Sequence, residues 1–190
     1  ATGLLAYQMR DLKVADQRLQ RALAQQYPDQ DFVRYTLGQI AEDDHDAARA
    51  EGWYRQVGQG QQYLPAQSRL ALLEAGEGQL DQALSRLGQL GGTEQERVSL
   101  ALLQSQLARD AKQPRKAYEL LTKALQSHPK SGELLYERSL VSDLLGNAGN
   151  AERDLRLVLK DKPNDTQALN ALGYTLANRT TRYKEAYGYI

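Results

Sequence analysis

The sequence predicts an all-α fold in which antiparallel helix pairs stack on one another as a repeat array. Alanines recur at Ala15, Ala50, Ala83, Ala117, Ala151 and Ala186, separated by 35, 33, 34, 34 and 35 residues. A period near 34 residues is that of a two-helix unit, which buries its apolar face only against its neighbours. Pro129 and Pro163 stand 34 residues apart and close successive units. Twelve residues before the recurring alanine comes a small one, at Gly38, Ala71, Ser105 and Ser139. Small residues of this kind let two helices approach closely while a bulky neighbour such as Tyr54, Leu87, Leu121 or Leu155 fills the next layer.

The elements follow from this phase. A helix over 11–26 carries Ala15. Helices over 30–43 and 47–57 carry Leu37 and Gly38, then Ala50, Tyr54 and Val57. Gly58-Gln59-Gly60-Gln61-Gln62 is the most flexible connection in the chain, yet the 33-residue alanine spacing runs across it, so stacking continues. Helices over 63–76 and 80–90 take Leu70 and Ala71, then Leu80, Ala83 and Leu87, with Gly76-Glu77-Gly78 as the turn between them.

Thr93 with Glu96 reads as a capping box that opens a helix over 94–110, buried along Leu100, Leu103, Leu107 and Ala108. Pro114 starts the next, over 114–127, since proline is tolerated in the first turn and pre-sets its φ. The unit from Gly132 to Pro163 is the clearest. Leu134, Leu135, Leu140, Leu144 and Leu145 give a helix over 131–145, which Gly146-Asn147-Ala148-Gly149 breaks. Ala151, Leu155, Val158 and Leu159 then form one stripe of a helix over 148–160. Asp165 caps a helix over 165–178. The distance from Gly173 to Ala186 is thirteen residues, which places one inserted residue in the turn Asn178-Arg179-Thr180-Thr181 before a last helix opens at Tyr183. About four complete repeats thus occupy 31–164, with partial repeats at 1–30 and 165–190, all in one array over 1–190.

Composition narrows the function. The 24 basic and 24 acidic side chains cancel, so no overall basic field draws in nucleic acid. No run approaches the roughly 18 apolar residues of a membrane span. Cysteine is absent, which leaves no disulfide, thiolate nucleophile or cysteine-based zinc site and fits any redox compartment. Glu42-Asp43-Asp44-His45-Asp46 is the densest group of metal-ligating types, but it reads as a solvated turn that favours the next helix N-terminus. Gly76-Glu77-Gly78 lacks the lysine and hydroxyl of a phosphate loop. Asn164-Asp165-Thr166 and Asn178-Arg179-Thr180 match the short glycosylation sequon, and both coincide with turns that the repeats require. No local signature brings a nucleophile, base and orienter together, so no catalytic residue, metal site or cofactor is assigned. The repeat frame already runs at the first residue and a helix is opening at the last, so the chain reads as interior to a longer array. Apolar residues at its two ends, Leu4, Leu5 and Tyr7 against Tyr187, Tyr189 and Ile190, then predict weak end-to-end self-association.

The phased pattern resembles the tetratricopeptide repeat family, as shown by Leu37-Gly38 with Ala50, Leu172-Gly173 with Ala186, and Ala124-Leu125 with Pro129. Gln104-Ser105 and Arg138-Ser139 depart from the Leu-Gly pair. The resemblance covers essentially the whole chain and implies a right-handed superhelical solenoid whose first helices line a concave, protein-binding groove. Helix periodicity combined with that geometry places Tyr35, Gln39, Arg69, Leu72, Leu102, Gln106, Arg109, Tyr136, Leu140, Asp143, Asn170 and Tyr174 in the groove. Some members grip a partner's C-terminal carboxylate with lysine and asparagine at sites that here hold Tyr35, Gln39, Leu102 and Gln106, so that clamp is disfavoured.

Arginine outnumbers lysine 16 to 8 and glutamine is abundant at 21, a bacterial composition. The stretch from Ala168 to Ala186 is similar to the tetratricopeptide lipoproteins of Gram-negative outer membranes. Pseudomonad adaptors of this group bind a carboxy-terminal processing protease and present cell-wall hydrolases to it. The resemblance implies a non-catalytic adaptor on the periplasmic side of the outer membrane, held by a lipid anchor upstream of Ala1. The alternatives are a structural scaffold in an envelope secretion or polysaccharide-export assembly, and a cytoplasmic location.

Overall fold

A computed structural model describes residues 2–189, and every regular element in them is an α-helix. In order these are α1 (Thr2–Gln8), α2 (Leu12–Ala24), α3 (Gln30–Asp43), α4 (Ala47–Tyr54), α5 (Tyr63–Gly76) and α6 (Leu80–Gln89). They continue with α7 (Glu94–Asp110), α8 (Pro114–Ser127), α9 (Gly132–Leu144), α10 (Ala148–Asp161), α11 (Thr166–Arg179) and α12 (Tyr183–Tyr187). The expected all-helical stack of pairs is what is found, and α2 to α11 begin and end within three residues of the sequence-based spans. Helix α1 is the addition. Ile190, expected at one apolar end, lies outside the described residues.

One backbone device turns the first helix into the second in five of the six helix pairs. Arg10, His45, Gly78, Lys112 and Gly146 all have positive φ, at 59°, 59°, 82°, 60° and 76°. In each turn the following N–H reaches back to a carbonyl five residues earlier: Asp11 to Ala6 at 3.0 Å, and Asp46 to Ala41, Gln79 to Glu74, Gln113 to Ala108 and Asn147 to Ser142 at 2.8 Å each. This is the Schellman closure, which satisfies carbonyls that the helix end leaves open. Because Arg10 is the first of the series, α1 and α2 form a helix pair of the same kind. Gly3, buried twelve residues before Ala15, is its small residue, and a Cβ there would lie 3.0 Å from Leu19. The turn after α11 differs, with Thr180 extended at φ −138°, where the sequence has its extra residue.

Side chains close seven of the helix N-termini. Asp11, Asp46 and Asn147 accept the N–H of Val14, Arg49 and Asn150 at the starts of α2, α4 and α10. Asp29, Ser131 and Asp165 do the same for α3, α9 and α11, and Thr93 with Glu96 forms the reciprocal box at α7. Each such cap is worth ~1 kcal/mol of helix stability.

The chain divides into two compact units, Ala1–Arg86 and Leu87–Ile190. In the first, Ala6, Ala15, Leu19, Val33, Leu37 and Ile40 make one apolar cluster, and Ala41, Ala50, Tyr54, Val57, Ala66 and Leu70 make another. The Gly58–Gln62 connection joins α4 to α5 within this unit. In the second unit a cluster runs from Val98 through Leu121, Leu134 and Leu155 to Leu172 and Leu176. All six phased alanines are buried. At the chain ends, Leu4 and Tyr7 pack against the first unit's core and Tyr189 against the second's, which leaves Leu5 and Tyr187 exposed.

Each unit also buries one ion pair between the two helices of a repeat. In the first, Arg86 on α6 bonds Glu74 on α5 through Nε at 3.0 Å and donates from Nη1 to Gln67 at 2.7 Å. In the second, Arg138 on α9 grips both carboxylate oxygens of Asp154 on α10 at 2.7 and 2.8 Å, and lies 5.7 Å from the centre of the Tyr118 ring. Arg86 and Asp154 each stand three residues after a phased alanine, so the same place in the repeat carries opposite charge in the two units.

Candidate functional site

The first helix of each pair carries a buried small residue, and the positions three before and one after it are the ones expected to line the groove. In the first unit these include Tyr35 and Gln39 on α3 and Leu72 on α5; in the second, Leu102 and Gln106 on α7, Tyr136 and Leu140 on α9, and Asn170 and Tyr174 on α11. Their environments differ. Tyr35 packs beside Tyr54, ring centres 5.6 Å apart, and Leu102 and Tyr136 pack against the second unit's core. The latter two line one cavity of about 360 Å³ with Glu137 and Val158. Gln106 and Asn170 are exposed. Leu140 is 36% exposed and Tyr174 58%.

The three charged residues expected in the groove bind neighbouring repeats. Arg69 on α5 forms a two-bonded pair with Glu42 on α3, Nε to Oε1 at 3.1 Å. Arg109 on α7 meets Glu137 on α9 at 2.9 Å, and the Ser105 hydroxyl donates to the same carboxylate at 3.4 Å. Asp143 on α9 accepts from Arg179 at the end of α11 at 3.1 Å. Glu42 and Arg109 each lie four residues after a small residue, and Arg69 and Glu137 each lie two before the next one. One pair of repeat positions therefore forms an inter-repeat staple whose sign is reversed between the two units. Sequence reasoning placed one partner of each pair and missed the other, although the phase together with charge at those two positions would have joined them. It also missed Leu144, which is 62% exposed on α9, one turn beyond Leu140.

The acidic turn is likewise occupied by structural roles. Glu42 holds Arg69, Asp43 accepts the Tyr7 hydroxyl at 2.9 Å, Asp44 meets Arg49 at 3.3 Å, Asp46 caps α4 and His45 supplies the positive-φ turn residue. Burial, with the bond to Asp43 second, pushes the Tyr7 phenol up to about 12, so it stays a neutral donor there. Among the described residues no three His, Cys, Asp or Glu side chains are grouped to hold a metal ion. Nor is any helix long and apolar enough to cross a membrane.

No family model matches the chain. It is 38% identical over 157 residues to a TPR repeat-containing protein of Pseudomonas aeruginosa, an alignment that covers 82% of this chain and 27% of that protein. The chain thus spans about a quarter of the length of the curated relative it matches. Among solved structures it resembles a tetratricopeptide repeat protein from Parabacteroides merdae, with TM-score 0.64 and 17% identity over 99% of this chain and 74% of the other. It also resembles MamA protein, with TM-score 0.58 and 14% identity over 85% and 88%. MamA from Desulfovibrio magneticus gives TM-score 0.58 and 12% identity over 84% and 90%.

Proposed function

The chain belongs to the tetratricopeptide repeat proteins, and from that premise we propose that it is a non-catalytic adaptor that holds a protein partner on the first-helix faces of its second unit. The observation that carries this is the pair Leu140 and Tyr174. They stand at equivalent positions on successive first helices, one residue after the small Ser139 and Gly173, and both are open to solvent. Leu144 extends the apolar surface along α9, and Gln106 and Asn170 offer hydrogen bonds beside it. Exposed apolar and aromatic side chains next to polar groups are what an extended or helical partner segment uses as anchors.

The partner in this proposal is a periplasmic carboxy-terminal processing protease, to which the array presents cell-wall hydrolases from the inner side of the outer membrane, tethered by an upstream lipid anchor. Two things support it: the likeness of the Ala168–Ala186 stretch to outer-membrane tetratricopeptide lipoproteins, and the 38% identity to a pseudomonad repeat protein. The test is binding of the purified protease to this chain by fluorescence anisotropy. Leu140→Ala with Tyr174→Ala should weaken binding by ~2 kcal/mol or more, roughly thirtyfold. Lys123→Ala with Arg153→Ala, two exposed second-helix positions, should leave it unchanged. Equal losses from both pairs would place the interface elsewhere, and no binding by the unaltered chain would remove the protease as partner.

A further inference from the structure

Helix α10 carries an apolar side chain where its counterparts are polar. Leu157 lies six residues after the phased Ala151, while the matching positions after Ala50, Ala83 and Ala117 hold Gln56, Gln89 and Lys123. It is 45% exposed. With Leu135 from α9 and Pro129 from the turn between α8 and α9, it lines a cavity of about 360 Å³ whose remaining members are Lys130, Lys160 and Asp161. Five of these six residues also line a larger cleft of about 660 Å³ that reaches the first turns of α7 and α9.

Charge is unevenly placed around this cleft. Its two glutamates lie toward α7 and α9 and do not line the smaller cavity: Glu94 faces His128 Nδ1 at 3.5 Å, and Glu133 accepts from Gln95 at 3.2 Å. Both also stand in the first turn of a helix, where open N–H groups favour a carboxylate. Lys130 and Lys160 are exposed, and among the described residues neither meets a carboxylate in an ion pair. Asp161 is the single acid between them. An apolar floor with uncommitted ammonium groups at its rim complements an apolar side chain flanked by carboxylates. The cavity is at the small end of ligand-sized pockets, which suits one or two side chains of an extended segment and not a whole helix face. Two lysines beside an aspartate are too few to hold a polyanion such as nucleic acid.

We propose that this cavity is a second docking site, which takes an apolar side chain flanked by aspartate or glutamate from an extended segment of a partner protein. The proposal rests on the reading of the chain as a protein-binding array, but on neither the protease nor the first-helix surface, since none of Leu140, Leu144 and Tyr174 lines the cavity.

The probe is a fluorescein-labelled peptide with the core Asp-Asp-Leu-Asp-Asp in a Gly-Ser frame, titrated with the 190-residue chain by anisotropy. Saturable binding is expected, about tenfold weaker or more when the peptide Leu becomes Ser or its Asp residues become Lys. Lys130→Glu with Lys160→Glu, and separately Leu157→Ser, should each weaken it by about tenfold. Their circular dichroism should match the unaltered chain, because all three side chains are exposed. Added salt should weaken the acidic peptide's binding as it screens the lysines. Leu140→Ala with Tyr174→Ala should lose the protease and keep this peptide, so failure of the two readings can be told apart. Absence of saturable binding, indifference to the Leu or Asp changes in the peptide, or binding that survives both cleft variants would overturn the proposal.

Discussion

Gly38 and Tyr54 are two halves of one fit. A Cβ on Gly38 would come within 2.4 Å of the Tyr54 ring, which is wholly buried, so the aromatic layer exists only because its neighbour has no side chain. The small residue twelve before each alanine announces this close approach in the sequence. It does not announce what happens at the far end of the ring, where the Tyr54 hydroxyl is buried without a hydrogen-bond partner. Burial pushes that phenol well above its ordinary range, with the neighbouring Tyr35 adding to the shift. An unmet buried polar group costs ~1–3 kcal/mol, so Tyr54→Phe should raise the free energy of unfolding by about 1 kcal/mol, read from urea denaturation. A loss of stability would show that the hydroxyl is satisfied after all.

At the scale of the helix, most of the fold was legible because its punctuation is chemical: Thr93 with Glu96, Pro114, Pro129, Pro163 and Asp165 each mark an end by what their side chains or rings permit. Helix α1 was not legible. It has only seven residues, too few for a periodic apolar stripe to stand out, and its turn residue Arg10 is not the glycine that marks the turns at Gly78 and Gly146, nor is it followed by a proline like the one after Lys112. The buried pairs were hidden for another reason. A charged residue on a helix is normally solvated, and nothing local to Glu74 or Arg86 says that they meet 12 residues apart across two helices. Their hydrogen bonding holds the Glu74 carboxyl below the ordinary carboxylate range, against the opposing effect of burial. Since the folded-state value is the lowered one, the stabilisation is fully present above the unfolded carboxylate's range and is lost as pH falls through the folded value. Glu74→Gln should therefore cost roughly 1–3 kcal/mol at neutral pH, as loss of a charge-assisted bond, and the gap to the unaltered chain should narrow on acidification. A gap that stayed constant with pH would mean that the pair contributes no linked protonation.

At the scale of the whole chain, a repeat array distributes two jobs over one set of positions. Residues four after and two before the small residues hold successive first helices together through Glu42 with Arg69 and Arg109 with Glu137, while those one after it stay exposed at Leu140 and Tyr174, where the proposed partner would bind. The sequence phase marks these positions but does not separate the two roles, because the separation depends on which side chains find each other between repeats. Each unit has its own core and its own buried ion pair, and the exposed apolar residues of the proposed interface all lie in the second. Hydrogen–deuterium exchange of the chain with and without the processing protease tests this most directly. The account predicts slowed exchange in α9 and α11 of the second unit, with α8 and α10 little changed apart from their shared contacts. Protection confined to the second helices, or to the first unit alone, would contradict it.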